Sequence, residues 1–210
     1  MPSSTETEVK FAVAHLTPLR KKLAEFGAPD RAEVVFEQNW RFDDADRTLT
    51  GRGEVLRLRR DQGNHLTFKR QTPDDLTRTE IDMQVSDLES ARRLLEALGF
   101  EQMAAYEKRR ETYRIGDTLV MLDELPFGCF VEIEGERPAQ LKVVAEQLDL
   151  DWNRKIPDSY LQLFEAVRQA AGLETQEATF AELSRLGLDA LKLLGLEDAA
   201  MTPTSGGRRP

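Results

Sequence analysis

The chain is poor in the residues that most often carry chemistry. Among 210 residues it has a single cysteine, Cys129, and two histidines, His15 and His65. One thiol excludes an intramolecular disulfide and any zinc site built on paired cysteines. Cys129, in "FGCFVEI", reads as a buried, inert thiol. The histidines stand far apart, one opening a helix and one in a hairpin, so they are not read as metal ligands. Long apolar runs are also missing: no stretch approaches the length of a membrane span. The start of the chain has acids where a secretory signal would have a basic and then an apolar segment. These features lead to the expectation of a cytoplasmic protein with no membrane contact. Basic residues are outnumbered, 29 against 38 acidic, for a formal charge of −9. That balance argues against a nucleic-acid partner, although local basic clusters occur. Gly51 and Gly53 lack the Lys-Ser/Thr of a phosphate-cradling loop and are read as hairpin residues.

What the chain does have is strands that are half apolar and half ionic. In "TETEVKFAV", Glu6, Glu8 and Lys10 alternate with Thr7, Val9 and Phe11, the period of two of a β-strand. The pattern recurs. Arg57 and Arg59 oppose Leu56 and Leu58, and Lys69 alternates with Phe68. Arg78, Glu80 and Asp82 face away from Thr79, Ile81 and Met83. Lys108 and Arg110 share a face, Asp123 closes "VMLD", and Glu132 and Glu134 oppose Val131 and Ile133. Further strands are read in "AEVVFEQNWRFDD" and around Gln62-Gly63-Asn64, which brings the count to eight. Helices are read in "HLTPLRKKLAEFGA", in "SDLESARRLLEALGF" with Ser86 and Glu89 as a capping box, and at about 137–149, 158–171 and 176–195. "ADRTLTGRGE" reads as turn chemistry. The class is α+β. Short connections favour antiparallel pairing, and eight strands are enough to close into a barrel.

An ordinary sheet would turn such charged faces to water. Here, however, acids and bases are segregated strand by strand, and barrel closure would line a lumen with them. Carboxylates on the first and last strands could hold Mg²⁺ or Mn²⁺, and Arg and Lys on the strands between could clamp phosphate oxygens. The guest suited to both is a polyphosphate.

The same residues, in the same order, resemble the CYTH superfamily, the triphosphate tunnel metalloenzymes. The resemblance rests on Glu6-Thr7-Glu8-Val9-Lys10 as an ExExK signature, followed by Arg57-x-Arg59, Lys69, Glu80, Lys108-x-Arg110, Asp123 and Glu132-x-Glu134. "DELPFGCFVEIE" and "DSYLQL" are similar to the family's turn-and-strand ending and its closing helix. The resemblance covers about residues 5–170. It implies an eight-stranded antiparallel tunnel open at both ends, with helices outside and a triphosphate within. It implies a metal shell of Glu6, Glu8, Asp123, Glu132 and Glu134. Phosphate contacts would come from Lys10, Arg57, Arg59, Lys69, Arg78, Lys108 and Arg110, with Lys10, Arg59 and Glu80 assigned to catalysis. The implied partner is a small molecule bearing a triphosphate.

Two activities fit these parts. Water attacking phosphorus gives a triphosphatase acting on tripolyphosphate, thiamine triphosphate or a nucleotide. The 3′-hydroxyl of ATP attacking its own α-phosphorus gives a class IV adenylyl cyclase. Hydrolysis is favoured, because water needs no pocket for a base. A non-catalytic polyphosphate-binding module is a third reading, weakened by the full carboxylate set. The tunnel domain is placed at residues 1–172, a helical extension at 173–198 and a disordered tail at 199–210. Leu186, Leu188, Leu191, Leu194 and Leu196 are expected to dock on the barrel or on a second copy in a homodimer. Trp40 and Trp152 are read as packing residues.

Overall fold

The computed structural model describes residues 4–28, 32–71, 77–183, 185–187, 189–196 and 198–200, the side chains of 4–6, 71, 77 and 78 excepted. The first strand, β1 (Ser4–Val13), is followed by helix α1 (Thr17–Glu25) and strand β2 (Val34–Asp43). A short helix, α2 (Thr48–Gly51), leads into β3 (Glu54–Arg60), β4 (Asn64–Gln71) and β5 (Thr77–Gln84). Helix α3 (Leu88–Ala97) precedes β6 (Glu101–Ile115), β7 (Thr118–Leu125) and β8 (Gly128–Gly135). Helices α4 (Pro138–Gln147) and α5 (Tyr160–Ala171) complete the main body.

The strands run in the order β2-β3-β4-β5-β1-β8-β7-β6, and β6 pairs back onto β2. Every pairing in that ring is antiparallel, so the eight strands close a barrel. Closure removes the unpaired edges that an open sheet must protect. The alternation in the sequence decides which face points where. Val9, Phe11 and Val13 of β1, Val120 and Leu122 of β7, and Val131 and Ile133 of β8 form one outer core with Leu19 and Leu23 of α1 and Leu141 and Val144 of α4. Phe42 and Leu58 pack outward under Leu95 of α3. The ionic half of each strand is left to the lumen.

One end of that lumen is apolar. Ala12, Tyr106, Leu125 and Phe130 continue the inward-facing rows and pack against Tyr160, Leu163, Phe164 and Val167 of α5. Ser159 and Gln162 form a capping box that starts α5, and Gly172 ends it at φ 65°, in the left-handed region glycine adopts freely. Where the resemblance implies a passage open at both ends, α5 stoppers one mouth in part.

Four expectations are corrected. The helix at 176–195 is broken. Strand β9 (Glu177–Ala178) pairs in parallel with Ala105 and Tyr106 of β6, and only α6 (Phe180–Leu183) and α7 (Ala190–Leu193) are helical. Gly187 sits at φ 58°, and Asp189 caps α7 by accepting from the Lys192 N–H, so the chain restarts rather than continues. Leu191, Leu194 and Leu196 do pack against the α5 cluster, whereas Leu186 is exposed and Leu188 lies outside the described residues. The cap of α3 is Asp87, which accepts from the Ser90 N–H at 2.7 Å, and not Ser86. The β2–β3 connection is not turn alone, because Asp43 gathers the N–H groups of Leu49 and Thr50 to start α2. Finally, residues 199 and 200, expected to begin a free tail, are bound: Ala199 donates to the Ala12 carbonyl and accepts from the Asp151 N–H. Residues from 201 onward lie outside the described ones. No helix among the described residues is long and apolar enough to cross a membrane.

Candidate active site

The inward rows enclose a cavity of about 210 Å³. Its cations come from five strands: Lys10 from β1, Arg41 from β2, Arg57 and Arg59 from β3, Lys69 from β4, and Lys108 and Arg110 from β6. Its carboxylates are Glu8, Glu80, Glu132 and Glu134, and Tyr106 and Tyr160 complete the wall. Seven cationic groups against four acidic ones line the cavity, inside a chain whose net charge is −9.

Register explains the convergence. Lys10 stands opposite Glu132 and Glu8 opposite Glu134 across β1–β8. Lys69 stands opposite Glu80 across β4–β5, and the two form an ion pair. Arg110 stands opposite Asp123 across β6–β7. Cross-strand partners share a face of the sheet, so each such pair points into the lumen together.

The cations are held from behind. Arg110 Nε donates to Asp123 Oδ1 at 2.6 Å, and the same guanidinium pairs with Glu132. Lys108 Nζ lies 3.3 Å from Glu37 and 3.4 Å from Asp123. The Tyr160 hydroxyl donates to Asp123 at 2.8 Å. Lys10 Nζ donates to the Asp158 carbonyl at 3.1 Å, lies 3.3 Å from Glu132, and sits 4.4 Å from the centre of the Tyr160 ring. Buried charges in a low-dielectric interior must be compensated in this way.

The electrostatics follow from these partners. Burial would raise the Glu132 carboxyl, but Lys10, Arg110 and Lys108 outweigh it and hold the group well below the ordinary range. Glu37 behaves alike: burial opposes ionisation, yet Lys108 and Arg110 bring it down to about 2. Glu134 is the exception. Burial pushes its carboxyl up, and the charges of Glu8 and Glu132 add to that despite Lys69. Burial also lowers Arg41, and the nearby Arg57 adds repulsion.

The structure brings Glu8, Lys10, Arg57, Arg59, Lys69, Glu80, Lys108, Arg110, Glu132 and Glu134 to one cavity wall. It sets Asp123 apart: the group is fully buried, its oxygens engage Arg110, Lys108 and Tyr160, and it does not line the cavity. Glu6 and Arg78 stand opposite one another on β1 and β5, and their side chains lie outside the described ones. Among the described residues no three carboxylate, imidazole or thiol groups form a preformed metal cage. The sequence reading passed over Glu37, Asn39, Arg41, Tyr106 and Tyr160. The first three alternate along β2 as the other ionic rows do, so the signal was present. Tyr160 arrives on a helix, and no strand period announces it.

A second cavity, of about 470 Å³, adjoins the first at the mouth beside α5. It shares Arg41, Val55, Lys69, Ser159 and Leu161 with the ionic cavity, and its other wall mixes apolar Phe42, Met103, Ala104 and Phe164 with polar and charged groups that include Asp43, Arg47, Thr50, Glu54, Gln162, Glu165, Arg168 and Gln176.

A closed antiparallel barrel with a cation-rich lumen and helices outside defines the class of fold. The chain belongs to the CYTH domain family, whose model matches residues 4–160. A Methanocaldococcus jannaschii protein named "Putative adenylate cyclase MJ0240" is 28% identical over 171 residues, covering 75% of this chain and 97% of that one. Among solved structures, a Vibrio parahaemolyticus protein given the same kind of name superposes with a TM-score of 0.69 at 24% identity, covering 78% of this chain and 99% of its own. The Pyrococcus horikoshii PH1012 protein follows with a TM-score of 0.65 at 23% identity, covering 75% of this chain and 98% of its own. At these identities the structural likeness shows the fold.

Proposed function

We propose that the protein is a divalent-metal-dependent phosphohydrolase that holds the triphosphate of its substrate inside the barrel. The observation that carries this reading is the convergence of seven cationic side chains from five strands on one cavity inside the barrel, in a protein that is acidic as a whole. Phosphoryl transfer asks for positioning and charge neutralisation more than for an acid–base pair. Lys10, Arg57, Arg59, Lys69, Lys108 and Arg110 supply the grip, with Arg78 expected to join them. Lys10, Arg59 and Glu80 are assigned to the reacting phosphoryl group.

The carboxylates fit Mg²⁺ or Mn²⁺, which take hard oxygen donors. Glu8 faces Glu134 across the β1–β8 ladder, and burial, with the charges of Glu8 and Glu132 beside it, pushes the Glu134 carboxyl up despite Lys69 and Arg110; a bound cation would offset that push. Glu8, Glu132 and Glu134 would hold the ion, with Glu6 beside them. Mg²⁺ commonly binds through one or two carboxylates, with substrate phosphates and water filling its shell, so a preformed cage is not needed. When bound, the ion neutralises phosphate charge and orients the reacting oxygen. Asp123 is better suited to fixing Arg110 and Lys108 than to holding metal, because its oxygens are already engaged.

The adjoining cavity favours an organic triphosphate, a nucleotide or thiamine triphosphate, over inorganic tripolyphosphate, since its apolar wall gives an attached group somewhere to sit. The same observation supports the second reading, a class IV adenylyl cyclase, whose chemistry requires the base and sugar to be held. Product analysis separates the readings. Purified protein with Mg²⁺ or Mn²⁺ is offered tripolyphosphate, ATP and thiamine triphosphate, and the products are resolved. Released phosphate supports hydrolysis, and cyclic AMP supports the cyclase. Binding without turnover leaves only a binding module. Glu134→Gln is expected to abolish metal-dependent turnover while raising the melting temperature of the metal-free protein, because it removes one of the crowded charges. Near-normal activity in that variant would remove Glu134 from the metal site.

A further inference from the structure

Five of the seven cavity cations, Lys10, Arg59, Lys69, Lys108 and Arg110, each form an ion pair with a carboxylate. Arg41 and Arg57 do not: among the described residues no carboxylate lies at ion-pair distance from either. The two stand directly opposite one another across β2–β3, and like charges so placed repel. Neither guanidinium is used up within the protein. Arg41 Nη2 donates to the Glu54 carbonyl at 3.3 Å, Arg57 Nη1 donates to the Tyr106 hydroxyl at 3.3 Å, and Arg57 Nε has no partner. The carboxylates closest to Arg41 along the wall of the second cavity are engaged elsewhere. Asp43 accepts from the N–H groups of Leu49 and Thr50, and Glu54 pairs with Arg70. Two half-buried cations that face each other lack the anion that would compensate them.

Their place in the barrel says which anion this is. Arg41 lines both the ionic cavity and the second cavity beside α5, whereas Arg57 lines the ionic cavity alone. Along β3, Val55 lines both cavities, and Arg57 and Arg59 follow at successive inward positions, each about 7 Å farther from the shared mouth. Lys69, the other cation common to both cavities, is already paired with Glu80. An anion between Arg41 and Arg57 therefore sits where the ionic cavity opens into the second one, and a group attached to that anion can pass through. Resting on the triphosphate reading of the cavity, we infer that Arg41 is a specificity-determining residue that holds the ester phosphate, the one joined to the organic group. Its planar fork suits two phosphate oxygens at once, and Arg57 addresses the same phosphate from β3. The triphosphate then lies in one direction only, its organic end at the α5 mouth and its terminal phosphate toward Arg59. The ligand chemistry so defined is a phosphate ester of an aromatic group, whether a nucleoside or thiamine.

The test is titration calorimetry on the full chain with Mg²⁺, using AMP, thiamine monophosphate, pyrophosphate and tripolyphosphate. Each monophosphate carries one ester phosphate, and its organic group reaches the second cavity only from the Arg41 position. Pyrophosphate has no organic group and is free to sit deeper, among Arg59, Lys108 and Arg110. Wild type should bind at least one of the monophosphates, and the one it prefers tells a nucleotide from a thiamine ester. Arg41→Met should weaken that binding roughly 10–100-fold, the loss of a charge-assisted hydrogen bond, and pyrophosphate binding by less than about threefold. Arg41→Lys should lose part of the monophosphate affinity and none for pyrophosphate, because an ammonium keeps the charge without the fork. It serves as the test variant if Arg41→Met does not fold. Equal weakening of monophosphate and pyrophosphate would overturn the inference, since Arg41 would then act only through the general field of the cavity. Unchanged monophosphate binding in Arg41→Met would overturn it too, as would a wild type that binds tripolyphosphate but neither monophosphate. A wild type that does not bind tripolyphosphate would instead overturn the triphosphate reading itself.

Discussion

Replacing Asp123 by asparagine removes one charge and turns half of an acceptor into a donor, with almost no change of shape. The site it enters is crowded with donors. Arg110 Nε lies 2.6 Å from one oxygen, and the Tyr160 hydroxyl, at 2.8 Å, and Lys108, at 3.4 Å, address the other. An amide NH₂ on either side meets donors head-on. Breaking a buried pair by removing one partner costs about 3–5 kcal/mol, because the other charge is left uncompensated. Arg110 keeps Glu132, and Lys108 keeps Glu37, so the lower end applies, about 3 kcal/mol. For a chain of this size each kcal/mol moves the melting temperature by about 2–4 °C, which gives a fall of about 6–12 °C. The exposed surplus of positive charge should then be answered by ligand. Millimolar tripolyphosphate should restore more of the lost melting temperature in Asp123→Asn than it adds to wild type. Thermal melts followed by dye fluorescence, with and without tripolyphosphate, measure both quantities. If the variant melted like wild type but lost its dependence on Mg²⁺ or Mn²⁺, Asp123 would be a metal ligand and the positioning role would be wrong.

Two further outcomes are expected. Arg59→Ala should bind tripolyphosphate roughly 10–100-fold more weakly by titration calorimetry, from the ~1.5–3 kcal/mol of a charge-assisted hydrogen bond. Arg59→Lys should recover only part, because an ammonium lacks the planar fork, and an Arg59→Ala variant of unchanged affinity would take this residue out of the clamp. Glu37, brought from an ordinary 4.5 down to about 2 in the folded protein, contributes stability that is present above about 4.5 and lost as pH falls toward 2. Glu37→Gln should therefore be less stable than wild type near neutrality, and the gap between their denaturation curves should close over that acid interval. A gap persisting undiminished at pH 2 would show that Glu37 stabilises by packing rather than by charge.

Much of the site could be read from alternation alone. Arg57 with Arg59, Lys108 with Arg110, and Glu132 with Glu134 each sit two residues apart on a strand, and period two leaves them no choice but to share a face. The row Glu37, Asn39, Arg41 obeys the same rule, yet in "FEQNWRF" its charges are mixed with aromatic residues and look like any surface strand. Depth is harder to read than face. Asp123 and Glu132 both point inward, but the β6–β7 register sets Asp123 directly against Arg110, behind the cavity lining. Sequence periodicity carries no information about register between strands. Tyr160 was beyond reach for a related reason: its helix is placed by the apolar packing of Leu163, Phe164 and Val167 against the barrel end, a tertiary outcome. The leucines after residue 185 matched a helical spacing, but Gly187 and Asp189 act through backbone conformation and capping, which outweigh spacing over so short a segment.

Ring closure also bears on how the chain is made. β1 leaves the ribosome before the other seven barrel strands, yet its long ladder is with β8, from Thr7 opposite Gly135 to Val13 opposite Cys129. A nascent chain therefore carries β1 unpaired along that side until nearly all of the barrel sequence has emerged. Pairings so distant in sequence are slow to form, because the loop between them must close first. Glu8 and Lys10 ride on that strand, so the cation cluster cannot be assembled in any shorter nascent piece, however much of β3 to β7 has already paired. Anion affinity should thus appear abruptly, in step with the last seam of the barrel. A shortened chain lacking the first thirteen residues should lose the pocket and the closed wall together.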